Sequence, residues 1–377
     1  MTAREVPGGA LAVVKDRRLV YARGYGWANR EKEAPVHPDS LFRIASISKA
    51  LTGVAVLQLV EAGKLALDAS AFDLLDLPAL RQPGAEIDPR LRSITVRQLL
   101  HHTGGWDRDR SFDPMFRSEE IARATGSQRP AGPRAIIRYM TGKPLDFDPG
   151  SRFAYSNFGY CVLGRVIEKA SGTTYAEYVE RSVLKPCGIA RMRIGSSLHS
   201  APGEVRYYTR NTDLAGNVFP HPPNQVPWPY GGFYLEAMDA HGGWIASAID
   251  LGRFAAALDD PDHSPLLKPK LFHDLYAPPP PPISRKPDGT VEAAYYGSGW
   301  NVRPVGREGR ANYWHNGSLP GTSTLLVRRW DSLSWAVLFN QRSDDPHLSD
   351  GEIDGALHVA ADKVRAWPDE DLFRHFQ

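Results

Sequence analysis

With 377 residues, 42% of them hydrophobic and 23% charged, and a formal net charge of +2, the chain has the composition of a globular protein large enough for two or three domains or one large fold with an insertion. It carries no basic block and no ladder of aromatics and arginines, which leaves nucleic acid without an electrostatic footprint. No stretch reaches the roughly 18 apolar residues that span a bilayer, since the best candidate is broken by Gln58 and Glu61; Cys161 and Cys187 have neither disulfide-framework nor metal-ligand spacing.

The chain opens on a hairpin, "GALAVVKD" followed by "LVYARGYGWA", with a tight reversal at Asp16, Arg17 and Arg18 that lacks the usual glycine. From Ile47 to Ala62 the pattern is apolar almost all round and Gly63 stands as a C-cap, which predicts a central helix packed on several sides. Residues 66–240 change character: helical patterns at 95–101, 133–141, 157–171 and 174–185 alternate with Pro- and Gly-rich loops such as "FPHPPNQVPWPYGG". A further helix is predicted near 250–259, and "YAPPPPPISRKPDG" reads as a solvent-facing connector without regular hydrogen bonding. The last third returns to strands in "YGSGWNVRPV", "ANYWHNGS", "GTSTLLVRRW" and "LSWAVLFNQ" and closes on a helix in "DGEIDGALHVAADKVRAW". Strands at both ends with helices between predict an α/β (α+β) fold. One antiparallel sheet is assembled from 1–65 and 240–377, and a mainly helical domain with cleft loops occupies 66–239.

Ser46 and Lys49 lie three residues apart, on one helical face. A serine at a helix N-terminus has free backbone N–H groups beside it, and a lysine among apolar side chains loses hydration, which lowers its pKa until it can take the serine proton. Taken alone, the pair reads more simply as a capping serine with Lys49 reaching outward. The same spacing recurs at Ser182 and Lys185, but there the free groups are carbonyls, which would repel an oxyanion. Tyr155-Ser156-Asn157 begins another predicted helix. The phenol can share a proton relay and the amide can orient the lysine and hold a substrate carbonyl, or else Tyr155 packs in the core and Asn157 caps the helix. His315-Asn316-Gly317 runs along a late strand, where Gly317 allows close approach by a ligand and the N–H of Ser318 can face a developing oxyanion; an ordinary edge-strand histidine fits His315 equally well. His101 and His102 read as structural, and "DRDRSFDP" reads as a solvated loop at the cleft rim, lacking the central Gly and closing Glu of a calcium site. Trp106, Tyr207, Tyr230 and Phe233 are candidate cleft walls.

In order along the chain, "PDSLFRIASISK", "LLHHTGGW", "YSN", "GGWIASAIDLGRF" and "HNGSLPGTS" resemble the serine β-lactamase and penicillin-binding-protein superfamily, in its class C β-lactamase, D,D-carboxypeptidase and related esterase branch. The resemblance implies Ser46 as the acylated nucleophile, Lys49 as its base, Tyr155 as the proton relay, Asn157 as a positioning amide and His315 at the usual K-T-G lysine position. It further implies an oxyanion hole from the N–H groups of Ser46 and Ser318, and no metal or organic cofactor. Because a neutral histidine replaces the fixed lysine cation, the expected activity is a serine hydrolase on short-chain or small acyl esters. D,D-peptidase, D-aminopeptidase or weak β-lactamase activity is the alternative, and a non-catalytic binding or scaffold role is the second. The expected partner is a small ester or amide, with no nucleic acid and no membrane. "MTAREVPGGALAVV" has no apolar signal core, so the expected address is the cytoplasm. The family has a helix before its first strand, where this sequence nearly begins; a start further upstream is therefore a second expectation, and an export signal there would reverse the address.

Overall fold

A computed structural model describes residues 5–75, 86–209, 214–306, 309–342 and 350–376. Strands β1 (Gly8–Lys15) and β2 (Arg18–Asn29) form the opening hairpin. Its two-residue turn places Asp16 at φ +51° and Arg17 at φ +64°, so two non-glycine residues hold the left-handed geometry that matches the strand twist. Short strands β3 (Ala34–Pro35) and β4 (Phe42–Arg43) lead through a tight turn at Ala45–Ile47 into helix α1 (Ser48–Glu61), buried nearly all round and closed by Gly63 at φ +67°.

Helices α2 (Ala71–Leu75), α3 (Val96–Leu100), α4 (Ser118–Thr125), α5 (Pro133–Met140), α6 (Asn157–Ser171) and α7 (Tyr175–Val179) follow, with helical turns running on to Cys187. Their ends carry the expected chemistry: Thr95 with Gln98 and Thr174 with Glu177 form capping boxes, and Pro133 opens α5. Helix α6 is the hub against which α1, α2, α3, α5 and α7 pack. The unanticipated α2 is one turn long and α4 buries only Ser118, Ile121 and Ala122, so neither has a sustained apolar stripe.

Strands β5 (Arg193–Ile194), β6 (Leu214–Gly216), β7 (Gln225–Pro227) and β8 (Trp244–Ala246) lead to helices α8 (Ala248–Ala257) and α9 (Pro269–Tyr276). The chain then enters β9 (Tyr295–Tyr296), β10 (Asn301–Pro304), β11 (Ala311–Leu319), β12 (Thr322–Arg328) and β13 (Leu333–Phe339), and closes on α10 (Asp350–Ala361). The main sheet is antiparallel, in the order β3-β2-β1-β13-β12-β11-β10-β9, so the two ends of the chain meet in its middle, from Gly9 opposite Phe339 to Lys15 opposite Leu333. Leu326, Ala336 and Leu338 face the core around α1 and α8, while Leu325, Val327, Trp335 and Val337 face a second cluster with Ile353 and Leu357 of α10. Burial of both faces explains the unbroken apolar runs of β12 and β13. No helix among the described residues is long and apolar enough to cross a membrane.

Candidate active site

Ser46 sits in the tight turn just before α1, within two clamps. The hydroxyl of Thr322 donates to the Arg43 carbonyl at 3.1 Å and that of Thr324 to the Ile44 carbonyl at 3.0 Å, so β12 grips the two residues before the turn. Trp244 of β8 accepts from the Ile44 N–H at 2.9 Å. These bonds hold Ala45 at φ +46°, a left-handed conformation costing a non-glycine residue about 1–2 kcal/mol, which lifts Ser46 out of the core onto a partly open surface.

Lys49 lies one turn on, wholly buried. Its Nζ is 2.8 Å from Asn157 Oδ1, 3.0 Å from the His241 carbonyl oxygen and 3.1 Å from Ser46 Oγ. The first two neighbours can only accept, so they take two N–H bonds. Burial drives the lysine pKa far below its ordinary 10.5, and in the neutral amine the remaining direction, toward Ser46, is the lone pair. The reading of Lys49 as an outward-reaching side chain therefore fails. Lys185 of the second S-x-x-K is exposed.

The Ser46 side chain lowers the Tyr155 pKa against the effect of burial, and the phenol ring centroid lies 4.7 Å from Lys49 Nζ. Burial raises its pKa, which keeps the phenol protonated. The two environments thus push in opposite directions: the amine toward the free base, the phenol toward the acid. Asn157 is the first residue of α6, whose cap is the Ser156 hydroxyl, accepting from the Gly159 N–H at 3.1 Å; Asn157 is free of capping and points at Lys49. At its other end Nδ2 donates one of its two N–H bonds to Asp113 Oδ2 at 2.6 Å.

His315, Gly317 and Leu319 share the buried face of β11, while Asn316 and Ser318 are exposed. His315 Nδ1 lies 2.7 Å from the Asn316 carbonyl and so carries the proton; Nε2, 2.9 Å from the Tyr296 hydroxyl, then accepts. Burial, with Lys49 nearby, pulls its pKa down to about 3, making it a neutral wall 6.4 Å from the Tyr155 ring. The room made by Gly317 is not open to a ligand. A Cβ there would overlap the Ile44 carbonyl and Thr324 Oγ1, so the missing side chain lets β11 close on the Ser46 turn and brings Ser318 beside it. Gly317→Ala is expected to push the turn off the sheet, lowering activity about 100-fold with a clear fall in melting temperature, read by ester assay and calorimetry.

Sequence reasoning missed Asp113 and Arg108. Both belong to "DRDRSFDP", which is not simply a solvated loop: Asp113 turns inward onto Asn157, and the Arg108 guanidinium lies 4.9 Å from the Tyr155 ring centroid. Of the candidate wall residues, Trp106, Tyr207 and Phe233 are buried and Tyr230 is half-buried. Tyr207, Tyr230 and Phe233 gather round the buried Arg43, whose guanidinium is 4.4, 5.9 and 5.8 Å from their rings, because an interior cation recruits π faces. Trp106 is a core residue, edge-on to Phe158 at 4.7 Å. His102 accepts the Ser156 N–H at 3.1 Å and stacks between Tyr155 and Tyr296, which supports its structural reading.

The family model for Beta-lactamase matches residues 1–358. The chain belongs to the beta-lactamase family. The chain is 35% identical over 249 residues to FimD of serogroup D from Dichelobacter nodosus, a protein named for fimbrial assembly, covering 64% of this chain and 54% of that one. It thus spans about half the length of that relative. Penicillin-binding protein 4* of Bacillus subtilis is 26% identical over 358 residues, 93% of this chain and 72% of its own. Among solved structures, the octameric penicillin-binding protein homologue from Pyrococcus abyssi superposes with a TM-score of 0.73 at 25% identity, over 96% of this chain and 75% of that one.

Proposed function

We propose that this beta-lactamase-family chain hydrolyses small, uncharged acyl esters through an acyl-Ser46 intermediate. Lys49 takes the Ser46 proton as Oγ attacks the carbonyl carbon, the oxyanion is received by the N–H groups of Ser46 and Ser318, and the Tyr155 phenol relays the proton to the departing alkoxide. Water then attacks the acyl carbonyl along the same route in reverse, releasing the acid and restoring the serine.

The observation that carries the preference for esters is His315. Where the K-T-G pattern supplies a lysine cation for a substrate carboxylate, this strand presents a neutral imidazole tied to Tyr296. A second reading, hydrolysis of acyl-D-amino acid amides or peptides, is favoured by Arg108, a cation beside Tyr155 that could hold a carboxylate, and by the likeness to a penicillin-binding protein. Steady-state kinetics on p-nitrophenyl butyrate, an acyl-D-alanyl-D-alanine peptide and penicillin G tests the choice. The ester is expected to exceed the other two in kcat/KM by at least about tenfold, because removing a charge anchor costs a carboxylate substrate more than 1 kcal/mol. Faster turnover of the peptide would reverse the assignment.

A further inference from the structure

The Asn157 amide has two ends with opposite chemistry, and only one orientation leaves Lys49 usable. With Oδ1 toward Nζ, the amide accepts an N–H and the lysine lone pair stays free. Turned over, its NH2 would donate into that lone pair and consume the base. The sequence neighbours of Asn157 do not decide between them. What lies behind it does.

We propose that Asp113 is a positioning residue for the reaction, holding the Asn157 amide with its oxygen toward Lys49 and its nitrogen away. The inference rests on the acyl-enzyme reading above. Asp113 Oδ2 accepts from Asn157 Nδ2 at 2.6 Å, and Oδ1 accepts from the Met115 N–H at 3.1 Å, where Pro114 starts a short helical turn. One oxygen is thus anchored to the backbone and the other to the amide. Both partners are N–H donors, which favours the anion and works against the burial that raises the carboxyl pKa. An amide rotated by half a turn would set its own oxygen against this carboxylate.

The same chain of contacts, Asp113 to Asn157 to Lys49, aims a negative charge at the base. Lys49 is faced by the Ser46 hydroxyl, by the rings of Tyr155 and Tyr160, by Asn157, and by His102, His241 and His315, whose pKa values burial depresses so that all three imidazoles are neutral. Among the described residues, the charges acting on it are therefore Asp113, which favours the protonated amine, and Arg108, which favours the free base. They oppose each other from one loop, and Arg108 is 43% exposed, so each can be changed separately.

The experiment measures kcat/KM for p-nitrophenyl butyrate, and the rate of Ser46 labelling by a fluorophosphonate, against pH for wild type, Asp113→Asn, Asp113→Glu and Arg108→Gln. Asp113→Asn is expected to lower the plateau about 10–100-fold, since its amide no longer dictates which end of Asn157 faces Lys49. It also moves the acid limb to lower pH by about half a unit or more, because the charge favouring protonated Lys49 is gone. Arg108→Gln moves the limb the other way, and Asp113→Glu recovers part of the plateau. A plateau and limb unchanged in Asp113→Asn overturn the proposal. So does a lowered plateau with an unmoved limb and a reduced melting temperature, the signature of a merely structural carboxylate. Wild-type protein that no fluorophosphonate labels at any pH overturns the acyl-enzyme reading and this one together, whereas normal wild-type labelling with an Asp113→Asn profile like it strikes only the present inference.

Discussion

Ser46→Ala leaves a folded protein whose ester turnover is lower by on the order of 10⁶-fold, the scale on which loss of a covalent nucleophile falls. The substitution removes one oxygen from a partly open position, with Lys49 still held by Asn157 and the His241 carbonyl, so the clamps from Thr322 and Thr324 and the left-handed Ala45 persist. Stability should change by less than about 1 kcal/mol, far too little to explain the loss of rate. Parallel calorimetry and ester assay check both halves. Residual turnover within about tenfold of wild type would remove Ser46 from the mechanism.

Lys49→Arg separates a base from a fixed cation. Arginine is longer than lysine and carries a positive charge that cannot be removed under working conditions, so a lysine needed only as a cation would tolerate it. A lysine needed as a base would not, and kcat/KM is expected to fall about 10³–10⁴-fold, as in Lys49→Met. The pH dependence follows from the direction of the shift. Burial lowers the Lys49 pKa well below 10.5, so the amine is free, and the enzyme active, from a correspondingly lower pH upward; rate is lost on the acid side as Lys49 takes up a proton. The raised pKa of Tyr155 keeps the phenol protonated above that limb. An activity that rises only near the ordinary pKa of lysine would contradict the buried base.

The parts of the site legible in the sequence are those set by local spacing. Ser46 and Lys49 meet because a helical turn separates them, and the mouth of α6 presents Asn157 because Ser156 takes the capping role. The sheet was legible because strand-like alternation and apolar runs flank the helical middle, although its register is fixed by pairings such as Ala12 with Ala336, distant in the chain. What was hidden depended on side chains turning toward partners far along the chain. Tyr207, Tyr230 and Phe233 read as cleft walls until Arg43, buried more than 160 residues earlier, is seen to collect them; the Arg43 N–H to Tyr207 hydroxyl bond alone spans 164 residues. Asp113 was camouflaged by composition: a loop with Asp107, Arg108, Asp109 and Arg110 looks solvated, and only the turn begun by Pro114 folds its last carboxylate inward. Gly317 was singled out as a place of close approach, but the approaching group is the Ile44 carbonyl of the turn that carries Ser46.

Covalent acylation of Ser46 is read by intact-protein mass spectrometry with peptide mapping after rapid quench from p-nitrophenyl butyrate. A single butyryl adduct is expected on the peptide containing Ser46 in wild type and none in Ser46→Ala. An adduct that persists in Ser46→Ala, or that maps to another residue while turnover continues, would contradict it.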